Sequence, residues 1–153
     1  MRLPDLNIHE LLPHASPMLL LDKVMSCSDD EVCTVVKINR DHPFAETLGV
    51  PSHIGLELMA QTCGVWAGLR SRKQSRSPEI GLLLGTRNYQ CHVDFFDFLD
   101  QLTVTAKVVF LEDEMGVFDC QIFRHDHLLA SASLSLFQPA DSSLMTSMMA
   151  DQR

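Results

Sequence analysis

The chain has 153 residues, 46% of them hydrophobic and 21% charged, and a net charge of −8. That length suits one domain with one core, and that charge excludes a general nucleic-acid binder, which needs a basic face. The five cysteines, Cys27, Cys33, Cys63, Cys91 and Cys120, are odd in number and lack CxxC spacing, which argues against a zinc site or a disulfide framework and suits a reducing compartment.

The opening MRLPDLNIHELLPHASP has no apolar core of signal-peptide length, and no later apolar run reaches a membrane span. No membrane insertion is expected, and a cytoplasmic location is the default. Residues 5–12, DLNIHELL, can form a short helix capped by Asp5 or Asn7, which Pro13 and Pro17 stop. MLLLDKVMSC (18–27) and the β-branched EVCTVVKI (31–38) flank the turn signal SDD and predict a hairpin. An irregular loop, NRDHPFAETLGVP, covers 39–51.

Pro51 suits the first turn of a helix running to about Leu69. Ile54, Leu56, Leu58, Met59, Cys63, Val65 and Trp66 leave that helix no broad polar face, so it must be wrapped by the rest of the protein. RSRKQSRSP (70–78) reads as an exposed polar loop. Strands follow over 80–93, 101–112, 117–124 and 128–137, the last marked by Leu/Ala–Ser alternation. The pattern predicts a single α+β domain over 1–138, a curved sheet around one long helix, and a poorly ordered tail over 139–153. A sheet edge left open calls for a second copy or a related subunit.

Three stretches resemble the hotdog-fold 3-hydroxyacyl-acyl-carrier-protein dehydratases. LPHASPMLLLDKV (12–24) is similar to that family's LPHRYPFLLVDRV opening, GLELMAQTCG (55–64) to its buried E-A-x-A-Q helix, and DQLTVTAKV (100–108) to its G-D-x-L strand. The resemblance implies a curved antiparallel sheet around the helix, dimerised edge to edge. It implies an active site made by a loop histidine and a helix acid from opposite subunits, here His42 and Glu57, and an acyl carrier protein as the bearer of substrate. No cofactor is expected, and no metal, since the cysteines are scattered and His125 and His127 flank a hairpin tip. The loop departs from the family's G-H-F-P-G pattern: His42 lies fifteen residues before Glu57, one more than in the family, and Pro43 and Phe44 follow it. In this the chain resembles a divergent branch associated with lipids such as aryl polyenes.

Dehydration of a 3-hydroxyacyl thioester needs a base for the α-proton, an acid for the leaving hydroxyl and donors for the thioester carbonyl. Histidine suits the first role, because its ordinary pKa lies near neutrality. A carboxyl on an apolar helix is expected to keep its proton and so suits the second. Gln61, one turn on, can orient Glu57. Backbone N–H groups near Ser52 and His53, at the helix start, are the expected carbonyl donors. His53 is the rival base, four residues before Glu57, and otherwise lines the pocket. His14 is expected to be structural, and His9, His92, His125 and His127 to lie on the surface or in turns. Arg70, Arg72, Lys73 and Arg76 are either a solvated loop or a docking patch for an acidic carrier protein. Two other readings stand beside the dehydratase: a hotdog acyl-thioesterase in which Glu57 activates water, and a catalytically silent subunit that pairs with an active one.

Overall fold

The structure is a computed structural model and describes residues 7–11, 19–73, 82–112 and 114–137. The 139–153 tail, His14 and Arg76 lie outside those residues. The expected N-terminal helix is, within them, a single 3-10 turn at Ile8–Glu10. The predicted hairpin forms from β1 (Lys23–Cys27) and β2 (Glu31–Lys37), antiparallel across Ser28–Asp30. Ser28 closes that turn by donating its hydroxyl to the Asp30 carboxylate at 3.0 Å, the usual work of serine and aspartate in turns. The strand expected from Met18 starts later, at Lys23, and Leu20 and Leu21 ahead of it are buried instead.

The central helix α1 covers Gly55–Lys73, after a 3-10 turn at Ser52–Ile54 for which Pro51 is the cap. Arg70–Lys73 are therefore helical, which corrects the expected loop. Arginine and lysine are good helix formers, cations favour the negative end of the helix dipole, and no breaker stands before Pro78. Burial at the consecutive positions Gln61, Thr62 and Cys63 shows that α1 is enclosed on more than one face.

Four long strands do the enclosing: β4 (Leu82–Cys91), β6 (Gln101–Glu112), β7 (Met115–Arg124) and β8 (His127–Phe137). With β1 and β2 they form a six-stranded antiparallel sheet in the order β1-β2-β6-β7-β8-β4. Leu102, Val104 and Ala106 of β6, Phe118, Cys120 and Ile122 of β7, and Ala130, Ala132 and Leu134 of β8 turn one buried face to the helix. This is the hotdog arrangement. Leu58 and Met59 of α1 are wholly buried in the same core, and each such side chain contributes about 1.5–3 kcal/mol by leaving water.

Polar bonds set the helix against the sheet. Thr62 donates its hydroxyl to the Leu58 carbonyl at 2.8 Å, so in the buried 2.9 Å contact between the two threonines it is Thr34 of β2 that donates. The Trp66 indole donates to the Asp29 carbonyl at 3.2 Å, and its ring meets Phe118 edge to face. Cys63 sits 3.6 Å from Cys120, sulfur to sulfur, and burial pushes its thiol well above the ordinary range, as befits a packing residue. No helix among the described residues is long and apolar enough to cross a membrane.

A short ladder, unforeseen in the sequence, joins β3 (Val50–Pro51) to β5 (Phe95–Phe96). It holds the chain just before α1. Gly49 permits it: its φ is +143°, and a Cβ there would run into the Phe96 carbonyl. Phe96 is itself buried in the core.

Candidate active site

His42 lies in the loop between β2 and β3, and that loop is braced from below. Ile38 donates its N–H to the Asp100 carbonyl at 2.9 Å, and Leu99 donates back to Ile38 at 2.7 Å. Arg40 stacks over Phe98 at 4.6 Å, and Arg124 reaches Asp100 at 3.2 Å and Asp97 at 3.5 Å. The turn at 97–100 thus anchors the histidine loop, a link that sequence separation hides.

His42 is half-buried, and its Nδ1 accepts the Phe44 N–H at 3.1 Å. A backbone N–H can only donate, so the neutral ring carries its proton on Nε2 in this arrangement. Nε2 is buried and has no hydrogen-bond partner among the described residues. Burial lowers the ring's pKa from its ordinary 6.5, against the opposing pull of Asp41 and Asp22. The ring borders a shallow recess of about 220 Å³ with Leu19, Leu20, Asp22 and Lys37.

Glu57 stands in the first turn of α1 and is half-buried rather than enveloped as the apolar pattern suggested. Gln61 donates its amide NH₂ to Glu57 Oε1 at 2.9 Å. The oxygen of the same amide accepts the Leu20 N–H at 2.9 Å. Leu20 also lines the His42 recess. The neighbourhoods of the two predicted catalytic residues are therefore joined through Leu20 and Gln61 within one protomer.

The helix start differs from expectation in one respect. The Ser52 N–H, expected to face the thioester, donates to the Asp94 carbonyl at 2.9 Å in this structure. His53 is exposed on the same turn. At the far end of α1, Arg72 pairs with Glu10 at 3.3 Å, Lys73 pairs with Asp29 at 3.6 Å, and Arg70 lies over the Trp66 ring at 5.5 Å. Glu57 and Lys73 are sixteen residues apart on one helix, about 24 Å by its rise per residue. The chemistry and the cationic end are thus well separated. His92, His125 and His127 are exposed, as expected.

A hotdog sheet around a helix that carries an anchored carboxyl, with a half-buried histidine on the loop that leads to that helix, defines the class. The chain belongs to the ApeP-like family, described as ApeP dehydratase, whose pattern matches residues 6–147. It is similar to the 3-hydroxyacyl-[acyl-carrier-protein] dehydratase FabZ of Streptococcus suis (strain 98HAH33), with 29% identity over 135 residues, 85% of this chain and 94% of the relative. Among solved structures it resembles a chain of the dehydratase heterocomplex ApeI:P from Xenorhabdus doucetiae, at a TM-score of 0.86 and 29% identity, over 94% of this chain and 97% of that one. A hypothetical thioesterase with coenzyme A from Streptococcus pneumoniae TIGR4 shares the fold alone, at a TM-score of 0.58 and 15% identity, over 75% and 83% of the two chains.

Proposed function

We propose that this protein dehydrates 3-hydroxyacyl thioesters carried on an acyl carrier protein to trans-2-enoyl thioesters, paired with a second hotdog subunit. The observation that carries the reading is the Leu20–Gln61–Glu57 chain, which holds one oxygen of a helix carboxyl in a set direction and begins at a residue that also lines the His42 recess. Family membership and the similarity to FabZ support the reaction. His42 takes the α-proton, Glu57 gives a proton to the β-hydroxyl, water leaves and the double bond forms. The His53 N–H, at the positive end of the helix, receives the thioester oxygen as charge builds on it.

Pairing with another subunit is supported by β4, an outer strand of the six-stranded sheet with Leu83 and Leu84 exposed. A strand edge of this length with no neighbour among the described residues is a template for another strand. Similarity to a chain of the ApeI:P heterocomplex favours a related but different partner over a second copy. The test is consumption of 3-hydroxyacyl carrier protein by the purified chain, alone and with a candidate hotdog partner, followed as loss of one water by mass spectrometry. Turnover in either case supports the dehydratase. Release of free acid would replace it with the thioesterase reading, and turnover unaffected by removing both His42 and Glu57 would make this chain the silent subunit.

A further inference from the structure

Tyr89 took no part in the sequence reading, yet the fold brings it to the start of α1. It stands in β4 beside Asn88, whose φ of 56° is the left-handed conformation that asparagine tolerates. The pairing with β8 slips there. Arg87 faces Ser133 and Gln90 faces Ser131, so three steps along β4 match two along β8. The extra residue is a bulge, and bulges re-aim side chains. Here the exposed Arg87 and Gln90 flank a half-buried tyrosine. Its hydroxyl donates to the Ser52 carbonyl. Burial pushes the phenol above its ordinary range, so it keeps the proton it donates.

Ser52 is thereby held at both of its backbone groups. Its carbonyl accepts from the Tyr89 hydroxyl as well as from the Gly55 N–H of its own turn, and its N–H donates to the Asp94 carbonyl at 2.9 Å. Gly55 completes the fit. A Cβ there would collide with the Tyr89 hydroxyl and would stand 3.1 Å from Ile122 and 3.2 Å from Phe96. The trans peptide makes the Ser52 carbonyl and the His53 N–H antiparallel parts of one plane. Fixing the first fixes the direction of the second. Glu57 follows two residues after Gly55 on the same rigid helix.

We infer that Tyr89 is a positioning residue for the dehydration: through the Ser52 carbonyl it orients the first turn of the helix that presents the His53 amide and Glu57. This rests on the reaction proposed above. It also places a requirement of the active site on the strand that forms the open sheet edge.

The test is Tyr89→Phe, which removes one oxygen and keeps the ring. Turnover on carrier-bound substrate should fall about tenfold in kcat with KM unchanged, since orientation acts on the reacting geometry and not on carrier docking. Tm should fall by no more than about 4 °C, the range for one hydrogen bond in a domain of this size. Independently of any assay, exchange of the Ser52 amide by NMR should accelerate about tenfold while core amides of β6 and β7 keep their protection. Gly55→Ala, which pushes the hydroxyl aside by a different route, should give the same kcat loss, and the two changes together should lose less than the product of both. Unchanged exchange at Ser52 in Tyr89→Phe overturns the inference, as does a rise in KM with kcat preserved. Absence of wild-type turnover, alone and with a partner, overturns the dehydratase reading instead, and the exchange experiment then still decides whether the hydroxyl holds the turn.

Discussion

Gln61 and Glu57, one helical turn apart, are joined side chain to side chain at 2.9 Å, and the direction of that bond is set from outside the helix. The Leu20 N–H can only donate, so it takes the amide oxygen of Gln61 and leaves the NH₂ to face Glu57. Replacing Gln61 by Leu therefore breaks both of these bonds and takes from the buried Leu20 N–H its acceptor. The expected cost is about 1–3 kcal/mol in urea unfolding, with a drop in turnover from loss of the Glu57 orientation. A variant with full turnover and full stability would show that the amide fills space and no more.

The proposed catalytic pair is tested by Glu57→Gln and His42→Ala. Each should lower dehydration by about 10²–10⁴-fold, the usual worth of a positioned acid or base. His53→Ala should leave most of the rate, because its backbone N–H survives the change. A collapse of the rate in His53→Ala with His42→Ala unaffected would move the base to His53.

The hydrogen bond from Phe44 leaves the proton of neutral His42 on Nε2, whereas a base acting through Nε2 needs that lone pair open. Binding of the partner or of substrate must therefore release Nδ1 from Phe44. Nitrogen NMR of the ring should report Nε2 protonated in the isolated chain and the other tautomer in the assembled complex with a substrate analogue. If the Nε2–H tautomer persists there, His42 serves as a hydrogen-bond donor, and His42→Gln should then retain much of the activity that His42→Ala loses.

Burial lowers the pKa of His42 below 6.5, and this has a definite sign. Between the folded and unfolded pKa values the unfolded chain binds the extra proton, so stability rises with pH there. The contribution of His42 is complete above about 6.5 and is lost as pH falls through the lower folded value. Stability measured from pH 7 to 5 should fall less steeply in His42→Gln than in the wild type. A slope equal in both would mean that the ring titrates as it does in water.

Arg70 and Lys73 test carrier docking. Their neighbours Asp29 and Glu10 form only exposed, solvent-screened pairs with Lys73 and Arg72, so a strongly acidic partner can compete for these cations. Reversing both, Arg70→Glu with Lys73→Glu, should weaken turnover of carrier-bound substrate and spare a small thioester analogue, because Glu57 lies roughly 20 Å or more away along the helix. The wild-type rate on carrier should also fall more steeply with salt than the variant's. Equal loss on both substrates would assign the helix end to the fold.

Much of this protein is local in its chain, and that part was legible in the sequence. The SDD turn between two β-branched runs specifies the β1–β2 hairpin, and the Leu–Ser alternation of 128–137 specifies β8, because side-chain burial alternates along a strand. The helix without a polar face announced its own enclosure, and the one-turn spacing of Glu57 and Gln61 put them in reach of each other. What the sequence could not carry is every contact whose partners are far apart in the chain. Leu20 reaches Gln61 across 41 residues and Tyr89 reaches Ser52 across 37, and nothing in the local pattern of either stretch marks its partner. The register that aims Tyr89 depends on one extra residue at Asn88, which only pairing with β8 reveals, and the Ser52 amide counted as open until the fold laid Asp94 against it. Periodicity decides which face of an element is buried; only packing decides which two faces meet, and the geometry of this site depends on the second.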